Sequence, residues 1–274
     1  MDRRSGRYEF RMVSLFVLIH LGVLAVFFVP WSPRLLFWAA ASYGIRMFAV
    51  TAGYHRYFSH RSYKLGRAAQ FCLAVLAQTS GQKGVLWWAA HHRWHHRHSD
   101  AEHDVHSPGL RGFWWAHVGW ILSNEHDNYD EKQIADFAKY PELRWLDRYH
   151  WVPMASFGLM VLVIGGPAAF VWGFLVSTVA LYHATFCINS LAHVFGSRRF
   201  ETPDQSRNNW LLALLTFGEG WHNNHHFSMS SCRQGYRWWE VDITYAVLKV
   251  LSFLGIARNL RPFRVPGQRA RRAA

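Results

Sequence analysis

The run from Met12 to Pro30 is almost wholly apolar, with His20 as its polar interruption. About 20 such residues at 1.5 Å each reach across a bilayer's hydrocarbon core, where only helices or closed barrels satisfy the backbone. The run is too long for the apolar part of a cleaved leader, and it ends in Phe28-Val29-Pro30-Trp31 without a small-residue cleavage site. A retained membrane helix over 12–30 is therefore expected. After the turn Trp31-Ser32-Pro33-Arg34, a second apolar run covers 35–53, interrupted by Arg46. Two more are expected at 153–173 and 174–195, separated by a break or tight turn at or near Gly165-Gly166-Pro167. Shorter apolar pieces at 68–80 and 209–218 do not have spanning length, and 241–256 reads as amphipathic and interfacial.

The expected fold class is therefore an all-α integral membrane protein. Four transmembrane helices form two hairpins, with a helical, histidine-rich cap from 54–152 and 196–274, all one domain over 1–274. With 15 Trp and a 51% hydrophobic fraction, the composition suits spans with interfacial anchors. Much of the net charge of +13 sits at the two ends, for example Arg3, Arg4, Arg7 and Arg11, then Arg261, Arg264, Arg269, Arg271 and Arg272. Cationic flanks of this kind favour the cytoplasmic side, so the termini and the cap are expected there, against membrane lipid. No nucleic-acid-binding motif accompanies the charge, and no nucleic acid is expected as a partner. Cys72, Cys187 and Cys232 are scattered without a CxxC, which excludes a disulfide framework and fits a reducing compartment.

Chemistry is concentrated in the histidines, of which there are 18. His55-Arg56-Tyr57-Phe58-Ser59-His60 follows the second span, and His92-Arg93-Trp94-His95-His96 lies in the polar loop. His222-Asn223-Asn224-His225-His226 follows the fourth span. Positions i, i+3 and i+4 share one helical face, so each HxxHH can present three converging imidazoles. The i, i+5 spacing of the first cluster does not align on a regular helix and calls for a helix end. Eight imidazoles exceed the needs of one tetrahedral site, which makes two metals the simpler account.

The order HxxxxH, HxxHH, HxxHH resembles that of the membrane fatty acid desaturases, in particular the acyl-CoA (delta-9 type) members. The resemblance extends to Thr51-Ala52-Gly53, Arg111-Gly112-Phe113, His117-Val118-Gly119-Trp120, Asn189-Ser190-Leu191-Ala192-His193 and Gly218-Glu219-Gly220-Trp221, and covers about residues 10 to 260. It implies a di-iron centre ligated by His55, His60, His92, His95, His96, His193, His222, His225 and His226, with Asn189 holding a metal-bound water. His193 lies four residues after Asn189, one helical turn, so both can face one metal. It also implies O2 as co-substrate and introduction of a cis double bond, at the delta-9 position, into a saturated acyl chain.

The implied partners are a fatty acyl thioester or acyl lipid and a separate cytochrome b5-like or ferredoxin-like electron donor. Asp100, Asp104, His106 and Glu219 are expected to support the ligands, while Ala39 and Tyr43 resemble positions on a substrate tunnel floor. Ala90-His91 stands where animal acyl-CoA members carry an Arg-Asp pair, which weakens the case for CoA; Lys64, Lys83, Arg93 and Arg97 are the cations available to phosphates. His20, His117, His126, His150 and His183 are expected to be structural or interfacial. Two rivals remain: a di-iron alkyl or lipid hydroxylase, and a metal transporter, which would place polar residues near the membrane midplane.

Overall fold

The computed structural model describes residues 8–264; the outer arginines Arg3, Arg4, Arg7, Arg269, Arg271 and Arg272 lie outside them. Among the described residues the chain is helical, with isolated bridges but no strand. Three helical segments are long and apolar enough to cross a membrane: Phe10–Phe28, Pro33–Ser59 and Trp151–His193. In the first, Ile19 is the buried hydrophobic residue, whereas Phe27 and Phe28 are more than 80% exposed. Such a sleeve of outward apolar side chains is what a lipid-facing helix presents.

Helix α1 (Phe10–Gly22) continues into a 3-10 stretch to Phe28. Helix α2 (Pro33–Phe48) starts with Ser32 Oγ accepting from Leu35 N–H and Pro33 in the first turn, a favourable opening. It does not stop at residue 53 as expected. It runs on as a π-helix over Ala49–Ser59, so His55 lies inside the helical segment rather than just beyond it. Arg46, the cation that interrupts this span, is fully buried and donates to Ser177 Oγ at 2.5 Å and Thr178 Oγ1 at 2.7 Å. Its charge is thus spread over hydroxyls of a neighbouring span instead of facing lipid.

The cap begins with α3 (Arg67–Gln78) and α4 (Val85–His98), packed beside α5 (Pro141–Arg148). Helix α6 (Trp151–Ala169) leads through a π-helical stretch into α7 (Ser177–Asn189). The segment would be about 65 Å long if straight, roughly twice the hydrocarbon core. It is not straight: Gly166 has φ 78°, a left-handed conformation that interrupts the helix directly before Pro167. The two arms fold back on each other, so that a methyl on Gly158 would lie 3.1 Å from the Phe174 ring. The reversal therefore falls at Gly166, within the expected break, rather than at the 173/174 boundary.

The other short apolar pieces form α8 (Trp210–Leu215) and α10 (Ile243–Phe253), and the third histidine cluster forms α9 (His222–Phe227). The main core joins the π-helical end of α2 to α3, α4 and α7. It therefore forms a rigid base for the histidine-bearing elements.

Candidate metal centre

All nine histidines singled out in the sequence come together, in two groups whose ligand atoms lie within 4.8 Å of one another. His55, His60, His92, His96 and His225 form one; His95, His193, His222 and His226 form the other. Each HxxHH cluster is divided between them: α4 gives His92 and His96 to the first and His95 to the second, while α9 gives His225 to the first and His222 and His226 to the second. A third grouping, His95 with Asp104 and His106, adjoins the second.

Local geometry explains how the first cluster takes part. A π-helix has i→i+5 hydrogen bonds, and His60 N–H donates to the His55 carbonyl at 3.2 Å. The i, i+5 pair is thereby aligned without needing the helix to end at His55. The exposed carbonyls at the end of this helix are met by Arg93, which donates to Phe58 O at 2.6 Å and Ser59 O at 2.9 Å. Arg93 is held in turn by Asp136 at 2.8 Å, so it serves the helix end rather than a phosphate. The other cations considered for phosphates divide: Lys83 pairs with Asp127 at 2.8 Å, Arg97 donates to Gln133, and Lys64 is exposed.

Four imidazoles have their Nδ1 fixed by a carboxylate. His95 donates to Asp104 at 2.9 Å, His193 to Asp100 at 2.8 Å and His226 to Asp204 at 2.8 Å, and His55 donates to Glu219. Glu219 also accepts from Arg56 at 2.9 Å and from Gln234 at 2.9 Å. A neutral imidazole has one N–H, so each ring that gives it at Nδ1 presents a bare Nε2 lone pair. The Nε2 atoms of two of these rings point at a further imidazole, His55 at His225 Nε2 at 3.0 Å and His193 at His222 Nε2 at 3.0 Å, and His60 and His92 likewise meet through Nε2 at 2.9 Å. His226 Nε2 is buried with no hydrogen-bond partner. Converging lone pairs repel unless a cation lies between them, and neutral imidazole nitrogens suit iron or another borderline metal. The donor set fits two such ions.

Electrostatics keep the rings in the ligating form. Burial, then the positive charge that neighbouring histidines would carry, holds His60, His92, His96, His222 and His225 well below the usual histidine range. Burial also brings His226 to about 4. Burial alone would raise the carboxyls, but the hydrogen bond from His193 holds Asp100 at about 2, and the charges of His55 and Arg56 hold Glu219 at about 2. His95 departs from the pattern. Burial lowers it, yet Asp104 outweighs burial and raises it, as in an ion pair.

Asn189 is the last residue of α7, and Leu191–His193 turns as a 3-10 helix, so Asn189 and His193 are not one α-turn apart as expected. Asn189 instead lines a cavity with His55, His92, His95 and His222, members of both groups. That cavity meets an apolar one, lined by Phe16, Ile19, Met154, Tyr182 and Phe186, along Trp88, His92, His106, Thr185 and Asn189. Neither is lined by Ala39 or Tyr43; Tyr43 donates to Leu215 O at 2.6 Å and meets the Phe217 ring edge-on.

Asp204 and Gln234 were not singled out in the sequence: they sit in loops outside the histidine motifs and are brought against His226 and His55 only by folding. His20, His183 and His117 are linked in series through 3.1 Å and 2.9 Å contacts that end on Ser190 Oγ.

Residues 32–252 match the sequence model of the fatty acid desaturase family. The chain is 36% identical over 256 residues to the sn-1 stearoyl-lipid 9-desaturase of Anabaena variabilis, covering 90% of this chain and 92% of that one. It is 34% identical over 275 residues to the Delta-9 acyl-lipid desaturase 2 of Arabidopsis thaliana, covering 99% and 88%. It is also 34% identical over 255 residues to the Icosanoyl-CoA 5-desaturase of Limnanthes douglasii, covering 91% and 71%. With its histidine clusters, membrane-length helices and kinship to these enzymes over most of its length, the chain belongs to the fatty acid desaturase family.

Proposed function

We propose that this enzyme inserts a cis double bond at the delta-9 position of a saturated acyl chain, using two iron ions held by the nine histidines. The observation that carries this reading is the pair of histidine groups, one buried and the other partly so, joined to an apolar cavity at Asn189 and His92. His55, His60, His92, His96 and His225 would hold one ion, and His95, His193, His222 and His226 the other. Asn189, beside both, would hold a metal-bound water. The irons, when bound, supply the O2 activation and hydrogen abstraction from unactivated carbons that side chains cannot perform.

The chain's own residues do the rest. Trp88 and Phe186 shape an apolar path that excludes water and presents one stretch of acyl chain to the centre. Glu219, Asp100, Asp104 and Asp204 fix ring tautomer and orientation. Relatives named as 9-desaturases support the position of the double bond. Relatives are named for lipid-linked as well as CoA-linked acyl chains, so the acyl-CoA substrate suggested by the histidine motifs has an acyl-lipid counterpart. Electrons would come from a separate cytochrome b5-like or ferredoxin-like donor. The fold-back at Gly166 supports four crossings in two hairpins, which would put the histidine cap and both ends on one side of the membrane, and the arginine-rich ends favour the cytoplasmic side.

Expression in cells fed a saturated acyl chain, followed by mass spectrometry of the lipids, tests the reaction. New double bonds should appear, and His92→Ala and His225→Ala variants should abolish them. Hydroxylated chains without alkenes would move the assignment to a hydroxylase, and metal transport without O2 use would overturn it.

A further inference from the structure

Helix α9 runs out into an aromatic cluster at the surface. Phe227 follows His226 in the chain, and its ring stacks on Phe200 at 4.1 Å between centres and 10° between planes. Tyr236 meets Phe200 edge-on at 5.4 Å, and Phe263 lies 5.1 Å from Tyr236. None of these rings is fully buried, and Tyr236 is 38% exposed. The cluster is held in place from below. Asn223 Oδ1 accepts from the backbone N–H groups of Arg199 and Phe200, both at 2.8 Å, and Asn223 Nδ2 donates to Phe200 O at 3.0 Å. Asp204, in the same loop, holds His226 Nδ1 at 2.8 Å. A partly exposed aromatic patch is thereby fixed one residue away from the four-histidine group.

Cations surround this patch. Arg198 and Arg199 precede Phe200, Arg237 follows Tyr236, and Arg261 and Arg264 flank Phe263. Arg199 lies over the Tyr236 ring at 5.8 Å, and the backbone N–H of Arg264 donates to Ser228 Oγ at 3.2 Å, next to Phe227. The acids of these stretches are largely spent inside. Asp204 serves His226, and Glu240 is buried against Arg199, Asn224 and the backbone of Tyr236 and Arg237, which leaves Glu201 exposed. Beyond Arg264 the sequence adds arginines and no acid.

The five-histidine group has the opposite charge beside it. Helix α4, which carries His92 and His96, is tied through Arg93 to Asp136 and through Arg97 to Gln133. Residues 125–136 of that segment hold Glu125, Asp127, Asp130, Glu131 and Asp136 against Lys132. An acidic protein is repelled there and attracted at the aromatic patch. Aromatic residues and arginine are also the types enriched where proteins meet.

The reaction proposed above takes in electrons: a saturated acyl chain, O2, two electrons and two protons become an alkene and two waters. A one-electron carrier must therefore dock, be oxidised and leave twice for each double bond, which suits a small, charge-steered contact. We propose that the patch of Phe200, Phe227, Tyr236 and Phe263, with its arginines, is the docking surface for an acidic one-electron carrier protein, so that electrons enter through the four-histidine group. This inference rests on the separate-donor reading above and gives that donor a place on the molecule.

The test uses the full, iron-loaded chain in detergent with two acidic carriers, the haem domain of a cytochrome b5 and a plant-type ferredoxin. Biolayer interferometry reads binding at low and high salt, and anaerobic stopped-flow absorbance reads oxidation of the pre-reduced carrier. At least one carrier should bind the wild type, and more weakly as salt rises. The combined variant Arg198→Glu, Arg237→Glu, Arg264→Glu should weaken that binding at least about tenfold and slow carrier oxidation in step, with iron content and unfolding midpoint unchanged. Phe263→Ala should weaken binding without altering its salt dependence. Lys139→Glu, an exposed position next to the acidic segment, should change neither.

Carrier binding that survives both the combined variant and Phe263→Ala, or an equal loss in Lys139→Glu, would overturn the docking surface and leave a separate donor standing. The surface would be overturned equally if the combined variant lost binding to phosphatidylglycerol vesicles and kept the carrier, since the patch would then be a membrane contact. If the wild type neither binds nor oxidises either carrier, the separate-donor reading fails and the proposal fails with it.

Discussion

At the scale of single residues, the chemistry rests on which nitrogen of each imidazole carries its proton. Asp204 is the clearest case, since it touches one ring only, His226 Nδ1. Replacing it by Asn removes the charge that orients the ring; the expected result is about 10- to 100-fold weaker iron retention against a chelator. Metal analysis after stepwise chelation checks this, and full retention would show that Asp204 does not orient the ligand.

The buried rings also set a pH dependence. His226, His91 and His126 are brought to about 4 in the folded chain, mainly by burial. An unfolded histidine titrates near 6.5. Between about pH 6.5 and 4, the unfolded chain therefore binds protons that the folded chain refuses. Stability of the metal-free protein should fall as pH falls through that window. His95, whose pKa is raised by Asp104 after burial is overcome, opposes the trend as a single group. Thermal unfolding of the metal-free protein between pH 8 and 4 measures it, and a flat midpoint would contradict the assignment of neutral buried rings.

At the scale of elements, the π-helical end of α2 is the feature that the sequence reading did not supply. The spacing of His55 and His60 was legible, and so was its misfit to a regular helix. That the misfit is resolved by widening the helix, rather than ending it, depends on Arg93 reaching across from α4 to the carbonyls of Phe58 and Ser59. Arg93→Ala removes charge-assisted hydrogen bonds worth roughly 1.5–3 kcal/mol each. It should lower the unfolding midpoint and reduce metal in the five-histidine group, while the four-histidine group, which takes nothing from α2, keeps its own. Metal stoichiometry near one ion per chain is the expected readout; loss of both ions in parallel would argue against separate anchoring. The glycines of Gly218-Glu219-Gly220-Trp221 belong to this scale too. A methyl on Gly220 would lie 2.0 Å from Ala213 N, so this motif is needed to press α8 against the segment that starts α9.

At the scale of the whole molecule, the two histidine groups are assembled from the C-terminal ends of the second and third membrane-length segments and from the helices α4 and α9 that follow them. The four crossings proposed above predict that the loop at Trp31 and the fold-back at Ile164 face one side of the membrane and Trp238 the other. All three are well exposed, at 70%, 65% and 87%. Single cysteines at these positions, with Cys72, Cys187 and Cys232 replaced by Ser, should therefore label in two classes with a membrane-impermeant thiol reagent. Labelling of Ile164→Cys together with Trp238→Cys would mean that α6 and its return arm do not cross twice.

The sequence by itself determined the apolar segments, the helical presentation of each HxxHH cluster and the eight histidines of the three clusters, whereas His193 was singled out only through the family resemblance. Hydrophobic length and i, i+3, i+4 spacing are local properties that survive without knowledge of the fold. Only the tertiary structure decided how those histidines divide. Adjacent residues such as His225 and His226 point to different groups, and membership depends on which rings from distant elements meet them. It likewise decided that Asp204 holds the His226 ring and that Lys83 is already paired, because both depend on contacts between residues far apart in the chain.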